Sequence, residues 1–315
     1  MKTLTLSTIA MIILTVFQIS CKSDGKKQVP EKSKDDAAIV KSEIENIVKV
    51  VAKDFKFQVD DEIRSGWTTF QFENKGHAVH FFLFNRLPDT IPYSLYHEKV
   101  SMPFQIVFDS IKAGTTKADA GAMLGEMIPA WYFTGVKSMG GTGFIDGGKN
   151  TQITVNIEPG TYVMECYIKE KGVFHTTLGM MTEVKVLDET TKMKAPISNI
   201  ELSLSNHQIT SEGGLKAGKN TVAVHFKEHP EIGLGNDVHL IKLTENTDMD
   251  KVISWLDWMN VEGLEPPSPV EFLGGVQEMP VGNTAYFTVD IEPGNYAWIS
   301  ESYGAVGMVK TFTVN

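Results

Sequence analysis

The stretch from Val155 to Val186, VNIEPGTYVMECYIKEKGVFHTTLGMMTEVKV, reads as a strand, a tight turn, a second strand, a long loop and a third strand. Apolar and polar residues alternate on either side of Pro159-Gly160, a pair that reverses the chain. The same pattern returns later as VDIEPGNY, closing at Tyr296. Upstream, HAVHFFLFNRLPDT around His80 matches NDVHLIKLTENTD around His239; downstream, GMMTEVKV from Gly179 matches GMVKTFTV from Gly307. Three matches in one order imply an internal duplication. The separation between matched positions shrinks along the chain, so the second copy is the shorter.

Working outward, the copies run from 50 to 187 and from 197 to 315, joined by a polar linker, DETTKMKAP, at 188–196. Period-two alternation in WTTFQFEN, TQITVNI, NTVAVHFKE and NTAYFTVDI is the signature of half-buried sandwich strands. The expected fold is all-β: two tandem Greek-key β-sandwiches, each with a short helical insertion, at Lys117 to Met127 and at Asp248 to Met259. In the second insertion Val252, Trp255, Leu256 and Met259 share one face, which suits covering a sandwich. The loop WLDWMNVEGLEPPSPVEFLGG, rich in Trp, Leu and Pro, is suited to lying against the first copy or another protein.

The chain of 315 residues carries 29 Lys plus Arg against 39 Asp plus Glu, a net charge of -10 that disfavours nucleic acid and anionic lipid headgroups. Membrane attachment therefore has to be covalent or inserted. A short basic start, an apolar run from Leu4 to Ile19 and then Ser20-Cys21 resemble a bacterial lipoprotein signal cut before a lipid-modified cysteine; Gln18 stands where that pattern has leucine, which leaves simple secretion as the alternative. That reading assigns 1–20 to a signal peptide and 21–49 to a tether, its segment Lys22 to Asp36 being polar and low in apolar residues. With Lys22 after the cysteine, the expected destination is the outer membrane, facing the periplasm or the cell surface. Only Cys21 and Cys166 are present, so lipidation of the first leaves Cys166 without a disulfide partner.

Cys166, His175 and Met180 stand as C-x8-H-x4-M between two strands. A thiolate, imidazoles and a weak thioether are the donors of a type 1 copper site, and His80, after FENKGHAV, can supply the second imidazole. His77 competes with His80, and Met181 with Met180; the alignments of His80 with His239 and of Met180 with Met308 favour the first of each pair. These residues resemble the cupredoxin family, and the Cys-to-His-to-Met spacing is similar to the type 1 site of copper nitrite reductases. The resemblance implies one type 1 copper ion in the first copy, held by His80, Cys166, His175 and Met180, and outer-sphere electron exchange with a redox protein partner. From its position in the loop, the His175 ring is the natural exit for the electron if its edge is solvent exposed, with Phe174 and Leu178 as an apolar docking rim.

In the second copy Ser300 replaces Cys166, and the loop ESYGAVGM contains no histidine, so no copper is expected there; His239 and Met308 become core residues, and the copy serves as a scaffold, a dimerisation surface or an interaction surface. An alternative reading of the whole chain is a metal-free envelope binding or scaffold protein. Catalysis is not expected. A multicopper oxidase needs His-x-His pairs, and the eight histidines here form none; nitrite reduction commonly uses a histidine before the type 1 cysteine, where Glu165 stands. His225, Glu228 and His229 form a weak accessory metal candidate in a surface loop.

Overall fold

The computed structural model describes residues 46–315 other than Asp54 and Ile232. The lipoprotein signal, Cys21 and most of the tether lie outside the described residues. No helix among the described residues is long and apolar enough to cross a membrane.

The first copy contains β1 (Ile47–Lys53), β2 (Lys56–Gln58), β3 (Glu62–Asn74) and β4 (Leu83–Arg86), followed by a helical insertion. The insertion comprises α1 (Tyr93–Tyr96), a π-helical turn (His97–Ser101), α2 (Met102–Lys112), α3 (Lys117–Met127) and α4 (Ala130–Gly135). Then come β5 (Lys137–Gly141), β6 (Asn150–Ile157), β7 (Gly160–Glu165), the two-residue strands β8 (Lys169–Glu170) and β9 (Val173–Phe174), and β10 (Met181–Thr190). The second copy contains β11 (Ile200–Ser205), β12 (Gln208–Glu212), β13 (Gly218–Phe226), β14 (Val238–Leu243), α5 (Met249–Leu256), β15 (Glu271–Val276), β16 (Thr284–Ile291), β17 (Gly294–Ile299) and β18 (Val309–Val314).

The copies repeat each other in pairing as well as in order. β1 lies parallel to β3 and β3 antiparallel to β6, just as β11 lies parallel to β13 and β13 antiparallel to β16. In the facing layers, β7 sits between β4 and β10 and β17 between β14 and β18, with β5 and β15 completing the edges. β3 serves both layers of the first copy: Glu62 to Ser65 pair with β10, and Gly66 to Glu73 pair with β6. The strand changes layers at Gly66, whose φ of 90° is costly for a residue with a Cβ. The expectation of an all-β sandwich fold is met.

β6 and β16 pair antiparallel through Thr154 and Tyr286, Ile153 and Phe287, and Gln152 and Thr288, so one sheet runs through both copies. Segment 140–146 is laced to β15 and the residue that follows it by Gly274 N–H to Phe144 O at 2.8 Å and Gln277 N–H to Gly141 O at 3.1 Å. Phe144 fills the seam, its ring 4.8 Å from Phe81, 5.3 Å from Phe272 and 4.2 Å from His239. Buried side chains of both copies form one apolar cluster.

α3 coincides with the expected first insertion. The expected second helix is shortened, because the backbone turns extended at Asp257; Asp248 caps its start, its carboxylate accepting from Asp250 N–H and Lys251 N–H. The rest of the first insertion, 93–112 and 130–135, exceeds the sequence expectation. Its signal was present: Tyr96, Val100, Val107 and Phe108 fall at helical spacing and are all buried.

Candidate metal centre

His80 is presented by the loop that follows β3. Buried Asn74 anchors that loop, its Nδ2 donating to Ala78 O at 2.8 Å and Ile145 O at 2.9 Å, while its Oδ1 accepts from Gly76 N–H at 2.9 Å. His80 and Ile145 exchange backbone hydrogen bonds, which fixes the rotation of the ring's stem. A Cβ at position 76 would lie 2.6 Å from His80 Nε2, so the loop needs glycine to let the ring sit there. His77 is exposed and stands outside the group that His80 joins.

Cys166 leaves the end of β7, and its N–H donates to Met180 O at 3.1 Å. His175 follows the β8–β9 hairpin; its N–H donates to Ile168 O at 2.7 Å, and Met180 N–H donates back to His175 O at 2.7 Å. The sequence places these residues far apart along the loop, and the β7–β10 ladder brings its ends together. Cys166 Sγ is 3.8 Å from His80 Nδ1 and 3.7 Å from His175 Nδ1, and the imidazole centroids are 5.0 Å apart. All three side chains are buried, as is that of Met180, whose backbone is tied to both Cys166 and His175.

Burial pushes the Cys166 thiol up to about 12. Burial, reinforced by the nearby His80 and His77 rings, pulls His175 down to about 2. The group is therefore a neutral thiol facing neutral imidazole at ordinary pH. A soft cation that replaces the thiol proton is the chemistry such donors favour, and both rings turn the same nitrogen, Nδ1, toward the sulfur. The His80, Cys166 and His175 donors thus fit a copper ion of the type 1 kind.

The His175 ring edge does not reach the surface, so the condition for electron exit through that ring is not met. His175 is 0% exposed, and its Nε2 has no hydrogen-bond partner among the described residues. Phe55, at the tip of the β1–β2 hairpin, covers it at 4.7 Å. Phe174 is buried too, against Phe108 at 5.5 Å and Trp258 at 6.2 Å; of the expected rim only Leu178, 41% exposed, remains outside.

Two elements clamp the ligand hairpin. From α2, Gln105 accepts from Phe174 N–H at 2.8 Å and donates to Gly172 O at 3.1 Å. From the second copy, Glu265 accepts from Lys171 N–H and Gly172 N–H, and Leu264 O accepts from Lys169 N–H at 2.8 Å. Lys169 is buried beneath this loop, donating to Asn260 O at 2.8 Å with its ammonium 3.8 Å from the Phe108 ring centre. The Trp- and Pro-rich loop therefore packs on the first copy.

At the matching place in the second copy, Ser300 N–H donates to Met308 O at 3.1 Å, and Ser300, His239 and Met308 are buried. The accessory candidate is not assembled: His229 Nδ1 accepts from Asn236 N–H and its Nε2 donates to Met279 O, while His225 faces Thr284 and Glu201. Two buried polar groupings go beyond the sequence expectation. Glu165 is buried on hydrogen bonds from Tyr96 Oη at 2.7 Å and Asn85 Nδ2 at 2.9 Å, and burial lifts it to about 7. Asp237, His239 and Glu301 form a second buried group, detectable in sequence only by laying Glu301 over Tyr167 in the duplication.

No protein-family model matches the chain, and no curated protein matches it in sequence. Among solved structures it is similar to reduced auracyanin from the photosynthetic bacterium Roseiflexus castenholzii, at 18% identity and a TM-score of 0.27, over 46% of this chain and 98% of that one. Auracyanin A, a blue copper protein from Chloroflexus aurantiacus, matches at 16% identity and 0.27 over 45% and 98%. A multicopper oxidase matches at 14% identity and 0.22 over 85% of this chain and 88% of its own. Similarities of this size carry no argument about what the chain binds, which rests on the site itself.

Proposed function

We propose that the chain is an electron-transfer protein holding one type 1 copper ion in its first copy, exported to the bacterial envelope and tethered there through a lipid on Cys21. The observation that carries this reading is the convergence of Cys166 Sγ with His80 Nδ1 and His175 Nδ1 at 3.8 and 3.7 Å in a buried site. Copper, when bound, supplies a one-electron couple. The chain's own residues keep the donors still: Asn74 fixes the His80 loop, and Gln105 and Glu265 fix the hairpin that leads to His175. Donors held in place from outside suit a change of oxidation state with little movement, and burial keeps water and small ligands off the centre. That favours electron exchange over bond chemistry, and no catalytic step is assigned. The surface around Leu178 is the nearest exposed part of the ligand loop, and a redox protein partner would dock there.

Export and lipidation rest on the run from Leu4 to Ile19 and on Cys21. A second reading, a metal-free scaffold, draws support from Ser300, which keeps the strand-end hydrogen bond of Cys166 without a thiol. Copper titration monitored by visible absorption separates the two. The expected result is one equivalent bound with an intense thiolate-to-copper band, and Cys166→Ala should lose the band and weaken binding by more than about 100-fold, beyond what loss of a supporting residue alone costs. Equal binding by wild type and Cys166→Ala would leave the scaffold reading.

A further inference from the structure

Where the first copy gathers sulfur and imidazole, the second buries a group of different chemistry. Asp237 and His239 flank the start of β14, Glu301 follows Ser300 at the end of β17, and one polar atom from each of the three lies within 4.8 Å of the other two. His239 Nε2 is 3.8 Å from Asp237 Oδ1 and 4.0 Å from Glu301 Oε2. The ring is fully buried, and this nitrogen, aimed between two carboxyl groups, has no hydrogen-bond partner among the described residues.

A divalent ion is the first occupant to consider, and the ring's tautomer opposes it. Phe144 N–H donates to His239 Nδ1 at 3.1 Å, so Nδ1 carries a lone pair. In a neutral imidazole the proton then sits on Nε2, the atom an ion would need. What the group can hold is protons.

Hydrogen bonds decide where they reside. Asp237 accepts from Glu301 N–H at 2.7 Å, Ser302 N–H at 3.4 Å and Ser302 Oγ at 3.3 Å, and the Ser300 hydroxyl also faces it. Glu301 receives Tyr167 Oη at 2.9 Å. Burial and repulsion from Asp237 lift Glu301 well above the usual carboxylate range, while burial lifts Asp237 to about 6 against the lowering by its donors. With three donors on Asp237 and one on Glu301, Asp237 holds the negative charge more readily and Glu301 keeps a proton more readily, which leaves Asp237 as the carboxylate that can take one up. Tyr303 also faces Asp237 electrostatically, Glu165 lies behind Tyr167, and Glu278 lies behind Tyr303.

Tyr167 connects this group to the metal centre. It follows Cys166 directly, its ring stands edge-on to Phe81 at 4.6 Å, and its hydroxyl ends on Glu301. We propose that Asp237, His239 and Glu301 form a redox-linked proton site, in which one-electron reduction of the metal at Cys166 is accompanied by uptake of one solvent proton at Asp237. The inference rests on the copper reading. The electron would come from the redox protein partner and lower by one the charge at the metal that His80, Cys166 and His175 would hold, while the proton would convert the Asp237 carboxylate to its acid. Charge added on the metal side of a buried, weakly screened path raises the proton affinity of a carboxylate, and Tyr167 acts as a positioning residue along that path.

The test is the reduction potential of the copper-loaded full chain, followed by its charge-transfer band as pH is varied across the titration of Asp237. The potential should rise on acidification with a slope approaching about 59 mV per pH unit, the one-electron equivalent of a tenfold change. Asp237→Asn should flatten the profile, and Tyr167→Phe, which keeps the ring and deletes the donor, should reduce the slope while the band persists. A flat wild-type profile with an intact band overturns the proton site and leaves the copper reading standing; a wild type without the band overturns both. Zn(II) binding to the Cys166→Ala protein that is lost in His239→Gln would overturn the proton site by putting an ion in its place.

Discussion

The two copies carry corresponding strands in corresponding pairings and differ in what hangs from one strand end. Cys166 and Ser300 make the equivalent backbone hydrogen bond, each to a methionine carbonyl at 3.1 Å. In the first copy the loop that follows is long enough to form the β8–β9 hairpin and return with His175; in the second it closes through a 3-10 turn at Gly304–Val306 and brings no histidine. The backbone that presents a metal ligand therefore exists without the ligand. What makes a soft-metal site is a sulfur plus a loop with the length to place an imidazole beside it. His239 illustrates the converse, since the residue matching His80 is retained but its Nδ1 is engaged by Phe144 N–H of the first copy.

The comparison breaks most severely if the copies do not depend on one another. Phe144 lies in the seam among Phe81, Phe272 and His239, and Phe144→Ala should cost about 3–5 kcal/mol in denaturant unfolding. Wild type should unfold in one transition by fluorescence and by circular dichroism; two separated transitions would show that the shared sheet and core do not couple the copies.

A smaller effect concerns the second copy's acids. Asp237 has its folded pKa raised from 3.8 to about 6, so its contribution is fully present below 3.8 and is lost as pH rises through 6, about 3 kcal/mol in all at 1.36 kcal/mol per unit. His239 works in the other direction: burial lowers it from 6.5 to about 3, so its contribution is present above 6.5 and is lost as pH falls through 3. Between these limits the two oppose each other. Asp237→Asn removes the acid-side gain, and stability measured by urea unfolding should then fall more steeply on acidification than in wild type. Parallel profiles would mean that Asp237 is not protonated on folding.

The smallest expected change sharpens the account of the first copy. Phe55 covers His175 but is only partly buried, so Phe55→Ala should cost about 1–2 kcal/mol of stability. The same change should open the copper-loaded centre, giving several-fold faster reduction by ascorbate with the charge-transfer band retained. An unchanged rate would assign the shielding to the opposite side, where Phe174 packs on Phe108 and Trp258.

Much of the site was legible because its signal is local. Cys166, His175 and Met180 share one loop, and His80 follows an Asn/Gly turn after an alternating strand. The surroundings of that loop were not. The helical run from Tyr93 to Lys112 lies beyond the expected insertion although its apolar spacing is helical, and it supplies Gln105 to the hairpin before His175. Exposure of the His175 edge, the condition for electron exit there, is not met because Phe55, more than a hundred residues upstream in sequence, packs against that ring.

By itself the sequence determined the all-β class, and it carried the matched segments of the two copies and the thiol and imidazole donor types that a soft metal favours. Strand alternation, Pro-Gly turns and ligand spacing are imposed by neighbours along the chain, and a linear pattern records them. Tertiary structure alone decided that β6 pairs with β16, that a loop of the second copy clamps the ligands of the first, and that Asp237, His239 and Glu301 meet. Each of these depends on side chains brought together from distant segments, where burial sets both packing and protonation, and no local periodicity encodes that encounter.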